Sequence, residues 1–207
     1  MTSTQASDQK PIIDEIPGLV SPPPGVTITP AGLGVIGVEA VARLTQHRIS
    51  MMLLALAGVF VLVLVVTRNL AYAILTVFPV GMVIGWTSAA MYLFGVPLNP
   101  MTSIAGPLVV ALGCEFSILL MLRYREERQR GRAAEEAMNT AFIRSGRAIT
   151  ASALTVIGAF LALAFNGFPL LSQFGDVAVI GVALSLAGAL FLMPPLLPLL
   201  AAALAEA

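Results

Sequence analysis

The stretch Asn99–Arg125, NPMTSIAGPLVVALGCEFSILLMLRYR, decides how the chain is read. It is an apolar run about as long as a bilayer-spanning helix, which needs roughly 20 residues. One full charge, Glu115, lies inside its apolar part, 101–122. An ionised carboxylate in hydrocarbon costs several kcal/mol, so such residues are rare and mark functional candidates. A burst of arginines follows at once: Arg123, Arg125, Arg128, Arg130 and Arg132.

Working outward, the composition agrees with a membrane setting. Hydrophobic residues make up 58% of the chain, charged residues 11%, and the mean hydropathy is +0.94. Soluble domains are nearer 45–50% apolar and about 25% charged. The apolar runs are too long for barrel strands of roughly 9–11 residues, so the expected fold class is an all-α integral membrane bundle. Five runs are expected to span, at about 49–66, 70–94, 101–122, 148–165 and 174–200. Gly95–Pro100 and Asn166–Pro169 read as turns. Pro194, Pro195 and Pro198 are expected to kink or end the last helix. The arginine- and glutamate-rich segment 123–141 reads as an amphipathic helix lying along the membrane surface. Its Glu126, Glu127, Glu135 and Glu136 are spaced to pair with arginines three or four residues away.

Residues 1–48 form a short soluble segment, too small to bury a core alone. Met1–Lys10 reads as disordered, Gly25–Thr29 as a short strand and Val35–Gln46 as a helix leading to the membrane. No basic stretch followed by an apolar core opens the chain, so no signal peptide is expected. Arg68 and the cluster from Arg123 to Arg147 fall on one side of an odd number of spans. The positive-inside rule makes that side cytoplasmic, with Ala207, and puts residues 1–48 outside. The formal net charge is zero, and bulk charge selects no nucleic-acid or other partner.

Few residues offer chemistry. His47 is the only histidine and Cys114 the only cysteine. They make no metal cluster and supply no base for an intramembrane hydrolase. No glycine-rich loop precedes a Lys-Ser/Thr pair, so no P-loop is present. No enzyme activity, metal or cofactor is expected, and transport would draw on an ion gradient. Glu115 is the proton-relay candidate, because an ionisable residue inside a membrane span is a functional candidate by default. It is expected to face protein, close to the fourth run. That run places Ala148, Ser152, Thr155, Ala159, Ala162 and Asn166 on one face, and Ser152 and Thr155 are candidates to line a proton or water path. Small residues permit close helix approach, so Gly106 and Gly113 of the third run and Gly181 and Gly188 of the fifth read as packing positions. Asp176 reads as a cap near the outer end of the fifth helix.

Three segments then carry a resemblance: PLNPMTSIAGPLVVALGCEFSILLMLRYREER, GRAAEEAMNTAFIRSGRAITASALTVIGAFLALAF and FPLLSQFG. They resemble the resistance–nodulation–division (RND) superfamily, and most closely its MmpL-like and hopanoid-exporter-like exporters of hydrophobes and amphiphiles. Gly113-Cys114-Glu115-Phe116 matches the family's Gly-x-Asp-Tyr-like motif, with Glu115 in place of the relay aspartate and Phe116 in place of the tyrosine. Phe116 is thereby a further relay-lining candidate. The resemblance implies a five-helix bundle of RND or sterol-sensing type over 49–207, with residues 1–48 the remnant of an extracytoplasmic porter domain. Against that pattern, most of the porter domain and the first helix of the half are expected to lie outside this sequence. The implied function is the membrane part of a proton-motive-force-driven exporter. Membrane lipids, a hydrophobic substrate, and a second copy or a complementary half with its porter domain are the implied partners. A lipid-binding module of sterol-sensing type without transport, or a truncated fragment, are the alternatives.

Overall fold

The computed structural model describes Glu15 and residues 47–205. The strand expected at 25–29 and the helix expected at 35–46 lie outside the described residues. All regular structure among the described residues is helical. Helix α1 is Arg48–Thr67, α2 Leu70–Leu93, α3 Pro100–Gln129, α4 Ala134–Ala164 and α5 Pro169–Ala187. A π-helical turn, Gly188–Leu192, joins α5 to α6, Met193–Ala205. Five stretches are long and apolar enough to cross a membrane: α1, α2, α3, α4, and α5 continued to Leu199. The chain is a multi-pass membrane protein with an all-α bundle.

Local chemistry sets the helix starts. Asn69 caps α2, its side-chain oxygen accepting from the Ala71 N–H at 2.9 Å. Arg68 before it turns the chain in the left-handed region, φ 50°. Asn99 and Thr102 form a capping box at α3, with bonds of 2.9 and 2.8 Å, and Pro100 takes the first helical position. Such a box satisfies two orphan N–H groups reciprocally, and Pro is tolerated there because its missing N–H has no intrahelical partner. Asn99 Nδ2 also donates to Gln173 Oε1 at 2.5 Å, tying the start of α3 to α5.

Helix α3 is the centre of the bundle and touches every other helix. In its most apolar window 56% of residues are buried, against 11% in α1 and in α4, which lie at the periphery. Phe116, Leu120, Met121 and Tyr124 of α3 pack with Ile149 and Ala153 of α4, Val182 of α5, and Met193 and Leu197 of α6. Without a hydrophobic driving force in lipid, close van der Waals approach must hold such a bundle. The stripe Ala178, Gly181, Ser185 and Gly188 makes that approach. Gly181 lies against Val109, Ser185 Oγ stands 2.8 Å from where a Cβ on Gly113 would be, and Gly188 meets Val83 and Pro79 of α2. Gly106 packs on Met52 of α1 in the same way. The contact with backbone is at Gly175, where a Cβ would come within 2.5 Å of the Ala164 nitrogen and 2.7 Å of the Phe160 oxygen.

The structure corrects the reading of the arginine-rich segment. No separate surface helix spans 123–141. Instead α3 runs on to Gln129, the chain turns at Gly131 with φ 85°, and α4 begins at Ala134. Both helices project beyond their apolar parts as a hairpin. Glu127 explains why. Fully buried, it meets Arg123 at 2.8 Å, Arg130 at 2.9 Å and Arg132 at 3.2 Å. Arg132 also donates to Thr140 at 2.6 Å, and Arg128 donates to the Arg132 carbonyl at 2.7 Å. These contacts extend α3 and fasten the turn to α4. The fifth helix, too, starts at Pro169, five residues before the start expected from the apolar run. Asp176 therefore lies two turns inside it, and the first turn of α5 has no side-chain cap. The prolines near the end do not terminate the helix, which continues through Ala205.

Two measurements check this packing. Gly175→Ala meets backbone that cannot rotate away, and should destabilise the detergent-solubilised protein by about 1–3 kcal/mol. Gly158→Ala, with nothing within 4 Å, should be neutral or stabilising by up to about 1 kcal/mol. At the hairpin, Glu127→Ala removes the carboxylate that three arginines share and should cost about 2 kcal/mol. Glu126→Ala, at a half-exposed position, should cost less than about 1 kcal/mol. Equal effects of the two glutamate substitutions on thermal unfolding would contradict the arrangement.

Candidate functional site

A helix turns about 100° per residue, so neighbours in sequence face different ways. Phe116 points into the core and is 1% exposed. Glu115 therefore points elsewhere, and in the structure it is exposed on the outside of the bundle. It has no hydrogen bond or ion pair among the described residues. The chain's own helices thus do not bury Glu115. The cause is the seating of α3. Gly113, Phe116, Ser117 and Leu120 face inward, which leaves 111, 115, 119 and 122 on the open side.

That side is shared with α4. A crevice of about 340 Å³ runs between the helices, bordered by Leu119, Leu122 and Glu126 of α3 and by Arg144, Ser145 and Ala148 of α4. The helices are antiparallel neighbours. One turn further from the hairpin stand Glu115 on α3 and Ser152 on α4, both exposed. Next on α4 comes Thr155, also exposed; its hydroxyl donates to the Ala151 carbonyl of its own helix at 2.9 Å. The whole row Ala148, Ser152, Thr155, Ala159, Ala162 and Asn166 is exposed. The structure therefore puts Glu115, Ser152 and Thr155 on one open surface and leaves Phe116 out of it.

Sequence reasoning missed two features. One is the depth of burial of Glu127, whose pairing was legible from spacing but whose role as the hub of a hairpin was not. The other is a crevice between α4 and the π turn, lined by Arg147, which no sequence motif signals. No group of metal-ligating side chains is present among the described residues.

The profile of the MMPL family matches residues 2–206. A putative membrane protein of Methanocaldococcus jannaschii, MJ1562, is 32% identical over 142 residues, which is 69% of this chain and 37% of that protein. The putative membrane protein ActII-3 of Streptomyces coelicolor is 34% identical over 145 residues, 67% of this chain and 20% of that protein. The probable transport protein MmpL1 of Mycobacterium tuberculosis is 25% identical over 199 residues, 94% of this chain and 21% of that protein. The chain thus spans between about a fifth and somewhat over a third of the length of these relatives. A carboxylate set in the middle of a membrane-length helix, an arginine-rich hairpin and a family match along nearly the whole length agree, and the chain belongs to the MMPL family.

Proposed function

We propose that this chain is the membrane part of a proton-motive-force-driven RND-type exporter of lipids or other hydrophobic or amphiphilic compounds. One observation supports this above the rest: Glu115 stands unpartnered on an open face, beside a row of small residues, within a membrane-length helix. Lipid tails offer a carboxyl no hydrogen-bond partner, and leaving it unsatisfied costs several kcal/mol even when it is neutral. A second helical unit, either another copy or a complementary half, would cover Glu115 and the α4 row together. The small side chains Ala148, Ser152 and Ala159 would let it approach closely.

At such an interface Glu115 would act as the proton relay in the place of the family's aspartate. Its extra methylene, together with an outward direction, carries the carboxyl away from α3 and towards the partner. Ser152 and Thr155 stand ready to pass hydrogen bonds along the seam. Phe116 is held in the core, which argues against its having a part in the relay. Protonation would remove the charge and weaken the preference for polar partners. The two units would then repack, and that is the two-state element a transport cycle uses. In this reading the hairpin Arg123–Arg147 faces the cytoplasm, as the positive-inside rule requires, and residues 1–48 face outward as part of a porter domain.

A lipid-binding module without transport needs no titrating carboxylate, so one experiment separates the readings. The complete complex is placed in liposomes with an imposed pH gradient, and efflux of a fluorescent amphiphile is followed. Glu115→Gln should preserve assembly and lower gradient-driven efflux at least about tenfold, whereas Glu115→Asp should retain it. Normal efflux by Glu115→Gln with unchanged pH dependence would rule the relay out. Orientation is checked separately on a Cys114→Ala background. An impermeant thiol reagent added outside cells should label Asn166→Cys and miss Gly131→Cys.

A further inference from the structure

At the hairpin end of the bundle, on another side of α4 from Glu115, α4 and the π turn diverge. They leave a crevice of about 510 Å³, within the range of small-ligand sites. Along α4 it runs from Phe142 to Leu154, Leu190 of the π turn borders it opposite Gly146, and Arg147 and Thr150 supply its polar groups. Through Phe142 and Leu190 it continues into a larger opening of about 1180 Å³ that reaches Arg128 and Glu135. Phe191, 76% exposed, hangs over this opening.

Two observations say what fits. The first is charge. Arg147 is exposed and has no ion pair or hydrogen bond among the described residues, and no carboxylate lines its crevice. Arg144, three residues away, opens instead onto the α3–α4 crevice, where Glu126 stands. The second is depth. From Ala148 to the end of α4 no charged residue occurs, so Arg147 marks the last charge before the hydrocarbon. Leu154 lies seven residues further on, about 10 Å at the helical rise. The crevice thus offers a cation at the level of the phosphates and an apolar wall at the level of the acyl chains. A guanidinium matches a phosphate in planar, two-point geometry.

We infer that this crevice is a binding site for an anionic phospholipid of the leaflet on the hairpin side. The phosphate lies on Arg147 and the Thr150 hydroxyl, and an acyl chain lies along Leu190 and Leu154. The headgroup substituent extends into the larger opening towards Arg128 and Glu135. The site requires neither Glu115 nor transport, so it stands apart from the relay.

Native mass spectrometry of the full chain tests it, with dioleoyl phosphatidylglycerol and dioleoyl phosphatidylcholine as probes. Phosphatidylglycerol should be retained over phosphatidylcholine by about fivefold, the worth of one arginine at an anionic surface. Arg147→Gln should erase that preference, while Arg144→Gln should leave it within about twofold. Arg147→Gln alters an exposed side chain without partners, so the fold is preserved. Leu154→Trp fills the crevice from the apolar end without changing charge and should also release the lipid. Glycerol 3-phosphate should fail to displace it, because the tail supplies part of the binding. Equal losses in Arg144→Gln and Arg147→Gln would reduce the effect to diffuse attraction and overturn the site. Retention of phosphatidylcholine equal to that of phosphatidylglycerol, or displacement by glycerol 3-phosphate, would overturn it as well.

Discussion

Helix α3 carries Glu115 and Phe116 side by side, and no helix can send adjacent residues the same way. The bundle resolves this by taking the aromatic. Phe116 joins Leu120, Met121 and Tyr124 in the core, and the close approach of α5 at Gly113 locks α3 in that rotation. Once α3 is so fixed, Glu115 has to face out. The open surface that results is a consequence of core packing, and every functional reading of the chain has to begin from it.

The chain contains two kinds of shielded and unshielded carboxylate, and they differ in a telling way. Glu127 is fully buried but meets three arginines, each of which remains partly in contact with solvent. Its burial is offset by charge-assisted contacts, and its effect is structural: it fastens a hairpin. Glu115 has an open surface and no partner among the described residues. In water that would be unremarkable. In a membrane-length helix of an MMPL-family chain it leaves a polar group with nothing but lipid or a partner surface to meet. The same residue type thus serves stability at one end of α3 and remains available for chemistry in its middle.

Much of the fold was legible because its signals are local. The apolar runs put the starts of α2 and α3 at about 70 and 101, and the structure starts them at Leu70 and Pro100, where Asn69 and Asn99 cap them. The number of membrane-length helices was equally plain from the length of the apolar runs. The arginine-rich segment was not legible, because glutamate–arginine pairs at three- and four-residue spacing support a surface helix and a pair of helix extensions equally well. Only Gly131, with its positive φ, decides between them, and glycine in a polar stretch is a weak signal. The outward direction of Glu115 was hidden for a related reason. A helix that is apolar all round shows no stripe to tell its inner face from its outer one.

The tandem prolines show the same limit at the other end of the chain. Pro194 and Pro195 read as a kink or a stop, since proline lacks the N–H and its ring collides with the preceding turn. In the structure they fall at the second and third positions of α6, where the N–H groups have no helical partners of their own if the preceding turn gives way. It does give way: Gly188–Leu192 widens into a π turn. Inserting a residue in this manner re-aims the side chains beyond it. Leu190 and Phe191 are carried to the border of the openings beside α4. The prolines therefore shape the surface near Arg147 instead of ending the helix, and the crevice there follows from backbone chemistry written in the sequence but readable only once α4 is in place.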